Sequence, residues 1–382
     1  MEKKWFVALL MVVVMMCACW TGAVADEERK TFTSGDYQYA LLDDGTVEIA
    51  GYKGSADLLA IPAELDGKAV TSIGDCAFYL CSSLTSVSIP DSVTSIGDGA
   101  FYSCSSLTSV SIPDSVTSIG DSAFYWCSSL TSVSIPDSVT AIESWAFYAC
   151  SSLTSVSIPN SVTAIGDYAF CSCSSLTFVS IPDSVEQIGT NPFVACSALK
   201  TISVSPEHLY FATIDGVLFR KADKALISYP AGIKSSTYTI PQGIASIGDY
   251  AFDSCTSLTS VSIPDSVTSI GDCAFGSCTS LTSVSIPDSV TSIGDYAFGS
   301  CTFLTSVSIP DSVTSIGDRA FSYCKSLTSV SIPNSVAAIG DYAFSDCPNL
   351  TLTVPRNSYA AEYAKTNDIP YTYPDANDWL NN

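Results

Sequence analysis

The sequence predicts a repeat solenoid whose coils are 23 residues long. The clearest copy of the repeat is LTSVSIPDSVTSIGDGAFYSC, from Leu84 to Cys104, and closely similar copies return as far as Cys347. Self-similarity at a fixed period of about 20 to 50 residues is the signature of a solenoid. Composition agrees, because 47% of the 382 residues are hydrophobic and only 14% are charged. Each coil can therefore add its own apolar side chains to a continuous core.

Each coil is predicted to contain a short strand, a corner, a second inward segment and a short helical turn. In the copy above, Val87 and Ile89 alternate with serines, which indicates a strand with one face turned inward. Pro90 ends that strand because it has no N–H group to donate. Gly97 permits a tight turn, and Asp98 is placed to cap a single helical turn. Stacked coils should form a parallel β-sheet, with short helical or 3-10 turns on the other side.

Equivalent residues of stacked coils should lie in columns, and the cysteines form one such column. Its members are Cys81, Cys104, Cys127, Cys150, Cys173, Cys196, Cys255, Cys278, Cys301, Cys324 and Cys347. Parallel, inward-pointing side chains favour buried free thiols, because a disulfide needs two converging Cβ atoms. Cys76, Cys171 and Cys273 lie outside the column, and the sequence does not decide whether they form disulfides.

The N-terminus is typical of a secretory signal peptide covering residues 1–25. Lys3 and Lys4 precede an apolar run that is short for a membrane span, and an A-x-A sequence closes the segment. The prediction is a secreted or cell-surface protein with no transmembrane span after removal of the signal. A retained membrane anchor and a lipid anchor at Cys17 or Cys19 are the alternatives.

The repeat period predicts the remaining organisation of the chain, and it breaks once. The break lies between Cys196 and Cys255, and its apolar runs flank a basic stretch in the way expected of a β-hairpin. Such an island either carries recognition or is a tolerated spacer. The predicted segments are a β cap at 26–70, coils at 71–204, the island at 205–239, coils at 240–348, and a C-terminal cap and tail at 349–382.

The net charge of the chain and the residue types that it contains disfavour several classes of function. The formal charge of −23 repels nucleic-acid phosphates, so no nucleic-acid partner is predicted. His208 is the sole histidine, which leaves one possible base for a nucleophile, and a surface or structural role is the preferred interpretation. Phosphate-binding glycine motifs are absent from the sequence. No enzyme activity and no cofactor are predicted.

Two rows of acidic residues accompany the repeat, one after the proline and one after the glycine. Asp91 begins the first row, and Asp75 and Asp98 belong to the second. Turn and capping roles are the preferred interpretation, because aspartate side chains bond to nearby backbone. Calcium is the less favoured alternative. Carboxylate oxygens suit Ca²⁺, but the G-G-x-G-x-D repeat of calcium-binding β-rolls is missing.

Binding residues are expected at outward positions where the sequence of a coil departs from the repeat. Four coils carry a tyrosine after the core phenylalanine, and tyrosine and tryptophan are favoured interface anchors. The competing interpretation is that these rings are partly buried against neighbouring turns. Exposed Thr and Ser rows along the strands are either a weak multivalent surface or simply adequate strand residues. The candidate surface comprises Tyr79, Tyr102, Tyr125, Trp126, Tyr148, Phe178, Lys200, Arg220 and Lys221.

The repeat pattern L-x-x-V-x-I-P-x-S-V-x-x-I-G-x-x-A-F-x-x-C resembles the BspA-like leucine-rich repeat family of secreted and surface proteins. The resemblance covers nearly the whole chain after the signal, including the entry segment LDDGTVEIAGY and the tail VPRNSYAAEYAKTNDIPYTY. It implies a leucine-rich-repeat protein that binds extracellular protein or glycan, with adhesion to host or matrix as the expected role. A structural surface rod without a specific ligand is the alternative.

Overall fold

The computed structural model describes residues 30–374 and confirms the predicted fold class. The protein is a β-solenoid of about 14 turns, with coils of about 23 residues, parallel sheets and little helix. The predicted signal peptide, residues 1–25, and the final residues 375–382 lie outside the described part of the chain. The coils form two compact units, which divide between Phe170 and Cys171.

The first unit begins with six strands that lead into the coils, and the first three of them are antiparallel. These strands are β1 (Thr31–Ser34), β2 (Tyr37–Leu41), β3 (Val47–Tyr52), β4 (Leu58–Ala60), β5 (Glu64–Leu65) and β6 (Lys68–Ile73). β1, β2 and β3 pair antiparallel in order, and β3 then pairs in parallel with β6. Val47 and Ile49 are fully buried, so this segment covers the apolar interior of the first coil.

Two parallel ladders run through the coils of the first unit. The Ser-Val-Ser ladder consists of β4, β7 (Ser86–Ser88), β9 (Ser109–Ser111), β11 (Ser132–Ser134) and β13 (Ser155–Ser157). The Ser-Ile ladder consists of the end of β6, β8 (Ser95–Ile96), β10 (Ser118–Ile119), β12 (Ala141–Ile142) and β14 (Ala164–Ile165). Equivalent residues lie opposite one another, as Val87 with Val110 and Ile96 with Ile119. The inward residues of both ladders are buried, as the alternating pattern predicts.

The second unit contains the same two kinds of parallel strand. Its Ser-Val-Ser strands form two separate sheets, one of β15 (Phe178–Ser180) and β17 (Thr201–Ser203), and one of β21 (Thr237–Thr239), β23 (Ser260–Ser262), β25 (Ser283–Ser285), β27 (Ser306–Ser308), β29 (Ser329–Ser331), β31 (Thr351–Thr353) and β32 (Tyr371–Thr372). Its Ser-Ile strands are β16 (Gln187–Ile188), which lies apart from the others, and a ladder of β22 (Ser246–Ile247), β24 (Ser269–Ile270), β26 (Ser292–Ile293), β28 (Ser315–Ile316) and β30 (Ala338–Ile339).

The island of the second unit is a small antiparallel sheet that joins the solenoid. It contains β18 (Phe211–Ile214), β19 (Val217–Arg220) and β20 (Ala225–Ser228), paired antiparallel in order. β20 then pairs in parallel with β22, which makes the island continuous with the Ser-Ile ladder. Val217 and Leu226 are buried in the same hydrophobic core as the following coils.

One α-helix lies at the C-terminal end of the described chain. Helix α1 (Tyr359–Thr366) begins at Ser358, whose hydroxyl accepts the Ala361 N–H at 3.1 Å. Ala360 and Ala364 are fully buried, so this face of the helix covers the last coil. β32 adds in parallel to β31 beside it.

The third side of each coil, named the turn face, contains the residues from the acid to the cysteine, such as 98–104. A short helical turn was expected here, and the structure contains consecutive tight turns instead. Tyr102 N–H donates to the Gly99 carbonyl at 2.9 Å, as in a single turn. Gly99 and Ser103 have left-handed φ angles of 58° and 57°, and an α-helix cannot continue through such residues. Ser103 N–H donates instead to Tyr125 of the next coil at 2.7 Å.

The turn face covers a column of stacked phenylalanines that runs through each unit. Ring centroids of successive members of the column in the first unit are 5.0 to 5.5 Å apart, and the ring planes are within 5° of parallel. The members are Phe78, Phe101, Phe124, Phe147 and Phe170 in the first unit, and Phe252, Phe275, Phe298, Phe321 and Phe344 in the second. Nearly all of these rings are completely buried, so the column dominates the core.

Candidate binding surfaces

Three rows of side chains lie on the turn face of the first unit. The first turn row follows the acid, the middle turn row follows the core phenylalanine, and the last turn row precedes the cysteine. The first turn row is Cys76, Gly99, Ser122, Trp145 and Tyr168, the middle turn row is Tyr79, Tyr102, Tyr125 and Tyr148, and the last turn row is Leu80, Ser103, Trp126 and Ala149. Every residue of the first and last rows has a positive φ angle.

The four predicted tyrosines stack on one another as a column. Ring centroids are 5.4 Å apart between Tyr79 and Tyr102, 4.6 Å between Tyr102 and Tyr125, and 4.5 Å between Tyr125 and Tyr148. Tyr102 is only 5% exposed, whereas the other three rings are half-buried. Burial, with smaller contributions from Tyr79 and Tyr148, raises the pKa of Tyr102 to about 12. The column therefore leaves three of its tyrosine side chains partly exposed to solvent, whereas Tyr102 mainly packs between its neighbours.

Two tryptophans lie beside this column, and Trp126 is the more exposed of them. Trp126 is 57% exposed and meets Tyr125 edge-on at 6.3 Å. Trp145 is partly exposed and stacks on Tyr168 at 6.2 Å. Trp145 and Tyr168 were not among the predicted site residues, because the first turn row could not be recognised as outward without its left-handed backbone.

The second unit has no tyrosine in its middle turn row, and the tyrosines of its turn face lie mainly in the first turn row. The sequence indicated no aromatic stripe there, because its middle turn row holds small or acidic residues. The structure places Tyr250, Tyr296 and Tyr342 in the first turn row instead. A Cβ atom on Gly299 would lie 2.4 Å from the Tyr296 ring, so a small middle residue makes room for a large first one. In these coils a large residue in the first turn row is followed three positions later by a small residue in the middle turn row. This pairing of sizes is the sequence signal that could have revealed the arrangement.

The aspartates that follow the glycine of the repeat, such as Asp75, Asp98 and Asp121, form a row along one edge of the turn face, which is named the acid rail. They were expected to cap their own turns, but each carboxylate accepts the backbone N–H of the equivalent residue in the next coil. Asp75 accepts from Asp98 at 2.8 Å, and Asp98 accepts from Asp121 at 2.9 Å. The second unit repeats the pattern, as between Asp295 and Asp318 at 2.9 Å. Successive coils are therefore linked by side-chain as well as ladder bonds.

Burial and mutual repulsion raise the pKa of several carboxyl groups of the acid rail. Burial is the largest cause, followed by repulsion from Asp75, and together they raise the pKa of Asp98. Burial likewise raises the pKa of Asp121 and of Glu143. Glu143 occupies a position that holds glycine in neighbouring coils, so its carboxylate adds to the same negative edge.

A shallow polar groove of about 390 Å³ runs beside the acid rail of the first unit. Gly74, Gly97 and Gly120 form part of its floor, and carboxylates of Glu48 and Glu143 stand among its lining residues. Glycine is favoured at such positions because a Cβ on Gly120 would lie 2.8 Å from the backbone of the preceding coil, and Glu143 is the exception in the next coil. Within residues 30–374, no three acidic, histidine or cysteine side chains are grouped so that they could hold a metal ion.

The threonine rows beside the Ser-Val-Ser ladder have their hydroxyl protons already engaged. Thr108 Oγ1 donates to the Thr85 carbonyl at 2.9 Å, and Thr131 Oγ1 donates to the Thr108 carbonyl at 3.2 Å. The same bond recurs in the second unit, as between Thr305 and Thr282. These rows therefore offer methyl groups and acceptors to a partner rather than free donors.

Phe178 and Lys200 lie where the second unit departs from the threonine and serine pattern. Phe178 is 49% exposed and pairs in parallel with Thr201 of the following coil, and Lys200 is the exposed residue before that threonine. These two candidates are thus neighbours on one side of the second unit.

The basic candidates of the island have partners within the island. Arg220 forms a two-pronged ion pair with Asp223, with its shortest contact at 2.8 Å. Lys221 donates through its Nζ to the His208 carbonyl. His208 itself is buried, and its Nδ1 accepts the N–H groups of Tyr210 and Phe211. Burial is also the main cause that lowers its pKa, as expected of a neutral structural histidine.

Almost all cysteines of the described chain lie outside disulfides. Thirteen form no disulfide, including Cys171 and Cys273, whose state the sequence left open, and Cys76 is the exception because it is disulfide-bonded. Thiols of the column donate to the phenylalanine carbonyl of the preceding coil, as Cys127 to Phe101 at 3.2 Å. Each thiol therefore links two coils without a covalent bond.

Asp253 is a largely buried acidic residue on the turn face, and its pKa shows the effect of that burial. It occupies the middle turn row of the second unit, accepts the Ser254 hydroxyl at 2.7 Å and lies against Gly276. Burial raises its pKa to about 7, well above the ordinary value for an aspartate. The folded state therefore prefers the protonated form, and that stabilisation is present below about pH 4 and lost as the pH rises through 7.

Replacing Asp253 with asparagine should therefore stabilise the protein at alkaline pH. We expect the unfolding free energy of Asp253→Asn to exceed that of the wild type by about 2 kcal/mol at pH 8, after allowance for partial exposure. At pH 4 the two proteins should unfold alike. Urea denaturation at both pH values measures this, with Asp265→Asn as the control for an exposed acid. An equal difference at pH 4 and pH 8 would contradict burial as the cause.

The ladders and the leucine spacing define the chain as a leucine-rich-repeat solenoid. A model of the BspA-type leucine-rich repeat region matches residues 71–200 and 228–351, with six copies. The chain therefore belongs to the BspA-type leucine-rich repeat family. None of the curated proteins matches the chain in sequence. Within residues 30–374, no helix has the length and apolar character needed to cross a membrane.

Solved structures of bacterial leucine-rich-repeat proteins share this fold. A leucine-rich cell surface protein of Faecalibacterium prausnitzii A2-165 is 38% identical, with a TM-score of 0.73, and the match covers 89% of this chain and 98% of that one. A leucine-rich repeat protein of Eubacterium ventriosum ATCC 27560 is 27% identical, with a TM-score of 0.60 over 85% and 84% of the two chains. The pneumococcal vaccine antigen PcpA, at 22% identity and a TM-score of 0.76 over 91% and 99%, shows the same fold.

Proposed function

We propose that this chain is a secreted or cell-surface binding protein, rather than an enzyme, and that it attaches to an extracellular protein or glycan of a host or matrix. Membership of the BspA-type family and similarity to a bacterial cell surface protein support this role. The observation that carries the proposal is the outward aromatic surface on the turn face of the first unit, above a core that is the same in every coil.

The repeat leaves binding to the outer rows because the inner positions are committed to packing. Nearly all of the Leu, Val, Ile, Ala, Phe and Cys residues of the repeat are buried, so changes there alter stability rather than recognition. Tyrosine and tryptophan residues combine large contact area with few rotatable bonds, and they dominate binding energy in many interfaces. Similar contacts repeated in neighbouring coils would add by multivalency.

A structural surface rod without a specific ligand is the second candidate. The threonine rows favour it, because each hydroxyl group donates its proton to a backbone carbonyl of the preceding coil. These hydroxyl groups therefore link coils and do not donate to a ligand. A rod would show no saturable binding to any partner. The two candidates therefore give opposite results in the same binding assay.

We expect the full chain to bind immobilised extracellular matrix saturably, and exposed tyrosines of the first unit to contribute. The double variant Tyr79→Ser, Tyr125→Ser should weaken half-maximal binding at least about fivefold, as expected for interface anchors. Tyr323→Ser is the matched control, because this half-buried tyrosine lies in the last turn row of the second unit. Thermal melting of each variant checks that the coils remain folded.

Absence of saturable binding by the wild type would contradict the proposed function and favour the structural rod. Equal weakening by Tyr323→Ser would contradict the assignment to the first unit. Running the assay with Ca²⁺ and with a chelator shows whether calcium takes part.

A further inference from the structure

We infer that the turn face of the first unit docks a cationic segment of a partner protein, rich in arginine or lysine. The inference rests on the proposed function and names the chemistry of the partner. It concerns Trp126, Trp145 and the acid rail beside them.

Trp126 and Trp145 occupy left-handed backbone positions that serine fills in neighbouring coils, so the fold does not require an indole there. Their φ angles are 60° and 54°, in the left-handed region that bulky residues rarely adopt. Ser103 occupies the same row one coil before Trp126, and Ser122 occupies the same row one coil before Trp145, with φ angles of 57° and 56°. A serine therefore satisfies the coil at both positions, and the indole rings serve something other than folding.

The charge around these rings selects a positive partner. No lysine, arginine or histidine occurs between Lys68 and Lys200. The carboxylates of the same coils in the first unit are Asp75, Asp91, Asp98, Asp114, Asp121, Asp137, Glu143 and Asp167. The faces of aromatic rings also carry negative electrostatic potential, so rings and acids together attract a cation. An acidic glycan would be repelled, and a neutral glycan would gain nothing from the charge.

The second unit already contains this contact between two of its own residues. The guanidinium carbon of Arg319 lies 5.2 Å from the ring centroid of Tyr342, within the range of a cation–π interaction. Arg319 and Tyr342 are successive members of the first turn row. In the first unit the equivalent pair is Ser122 and Trp145, so the position of the Arg319 side chain is taken by a small neutral residue.

The acid rail adds a second interaction at the same place. Asp121 immediately precedes Ser122, just as Asp318 precedes Arg319. Burial and repulsion by nearby carboxylates raise the pKa of Asp121 and of Asp98, and a docked guanidinium would relieve that repulsion. Ser122 is itself only 2% exposed, so a partner arginine would lie over it, against the Trp145 ring and near the Asp121 carboxylate.

The test uses the full chain and a labelled twelve-residue peptide of alternating arginine and serine, with fluorescence anisotropy at about 0.15 M salt. The double variant Trp126→Ser, Trp145→Ser keeps every carboxylate, so non-specific attraction is unchanged. Each lost cation–π contact should weaken the peptide Kd several-fold, and the double variant at least about fivefold. Tyr342→Ser, whose ring is already occupied by Arg319, should stay within about twofold of the wild type. Unchanged melting temperatures show that the coils are intact.

A second pair of variants fills the proposed position from within the chain. Ser122→Arg places a guanidinium where Arg319 lies in the second unit, and it should weaken peptide binding about as much as the tryptophan variant. Ser277→Arg adds the same charge at another left-handed position of the second unit, and it should stay within about twofold. Equal weakening by both arginine variants would overturn the inference, because binding would then follow net charge alone.

Further outcomes separate this inference from the proposed function. If the tryptophan variant binds the peptide as tightly as the wild type, or if dextran displaces the peptide, the inference is overturned. If the wild type and the tryptophan variant then bind immobilised matrix equally, the proposed function stands without the cationic partner. Parallel loss of matrix and peptide binding in the tryptophan variant supports the inference.

Discussion

The variant Phe124→Ala should unfold at a much lower urea concentration than the wild type. We expect a loss of about 3 to 5 kcal/mol, the usual cost of truncating a buried phenylalanine. Phe124 is completely buried, and its ring lies 5.3 Å from Phe101 and 5.4 Å from Phe147. Its removal opens a cavity in the middle of a column, so both neighbouring coils lose a packing partner. Loss of the ring is therefore felt across three coils rather than one.

Phe303→Ala is the control for the phenylalanine column. Phe303 is 61% exposed, so its removal should change the unfolding free energy by less than about 1 kcal/mol. Urea denaturation followed by intrinsic fluorescence and far-ultraviolet circular dichroism measures both variants. Similar midpoints for Phe124→Ala and Phe303→Ala would contradict the assignment of the column as the dominant core.

The column thiols should resist alkylation in the folded protein. Burial raises the pKa of Cys127 to about 12, and its thiol donates to the Phe101 carbonyl at 3.2 Å. At pH 8 an ordinary cysteine is partly thiolate, so Cys127 should react about a thousandfold more slowly than after denaturation. Mass spectrometry of the iodoacetamide-treated protein, native and in urea, gives the rate at each site.

Cys81 and Cys347 are the internal controls for thiol protection. Both are only partly buried, so they should be alkylated before the other column thiols. Native alkylation of Cys127 at the same rate as Cys347 would contradict a closed core. Disulfides between successive column cysteines would also contradict it.

The fold class follows from the sequence because the period constrains every inward position. Leu84, Val87, Ile89 and Phe101 recur at one spacing, and only a stack of equal coils can bury all of them. The local conformation of the turn face does not follow from the sequence. Residues as different as Trp126 and Ser103 adopt the same left-handed φ there, so propensity could not identify it.

The candidate surface could be predicted only in part, because it depends on which coils and rows are neighbours. The tyrosine row was visible as a repeat, but the near-complete burial of Tyr102 depends on stacking between coils. The sequence left the island as either a recognition element or a spacer, and its basic candidates Arg220 and Lys221 bond to Asp223 and the His208 carbonyl. The acid rail was assigned to local capping because the acceptor role of each aspartate lies one coil away.

Hydroxyl-radical footprinting of the full chain, free and bound to solubilised matrix protein, tests most directly whether a partner docks on the turn face of the first unit. Oxidation of each aromatic side chain is read by mass spectrometry. We predict that Trp126 and Trp145 are protected in the complex, while Tyr342 is oxidised equally in both states. Protection of Phe178 with unchanged oxidation of Trp126 would contradict the proposed docking surface and place the contact on the second unit.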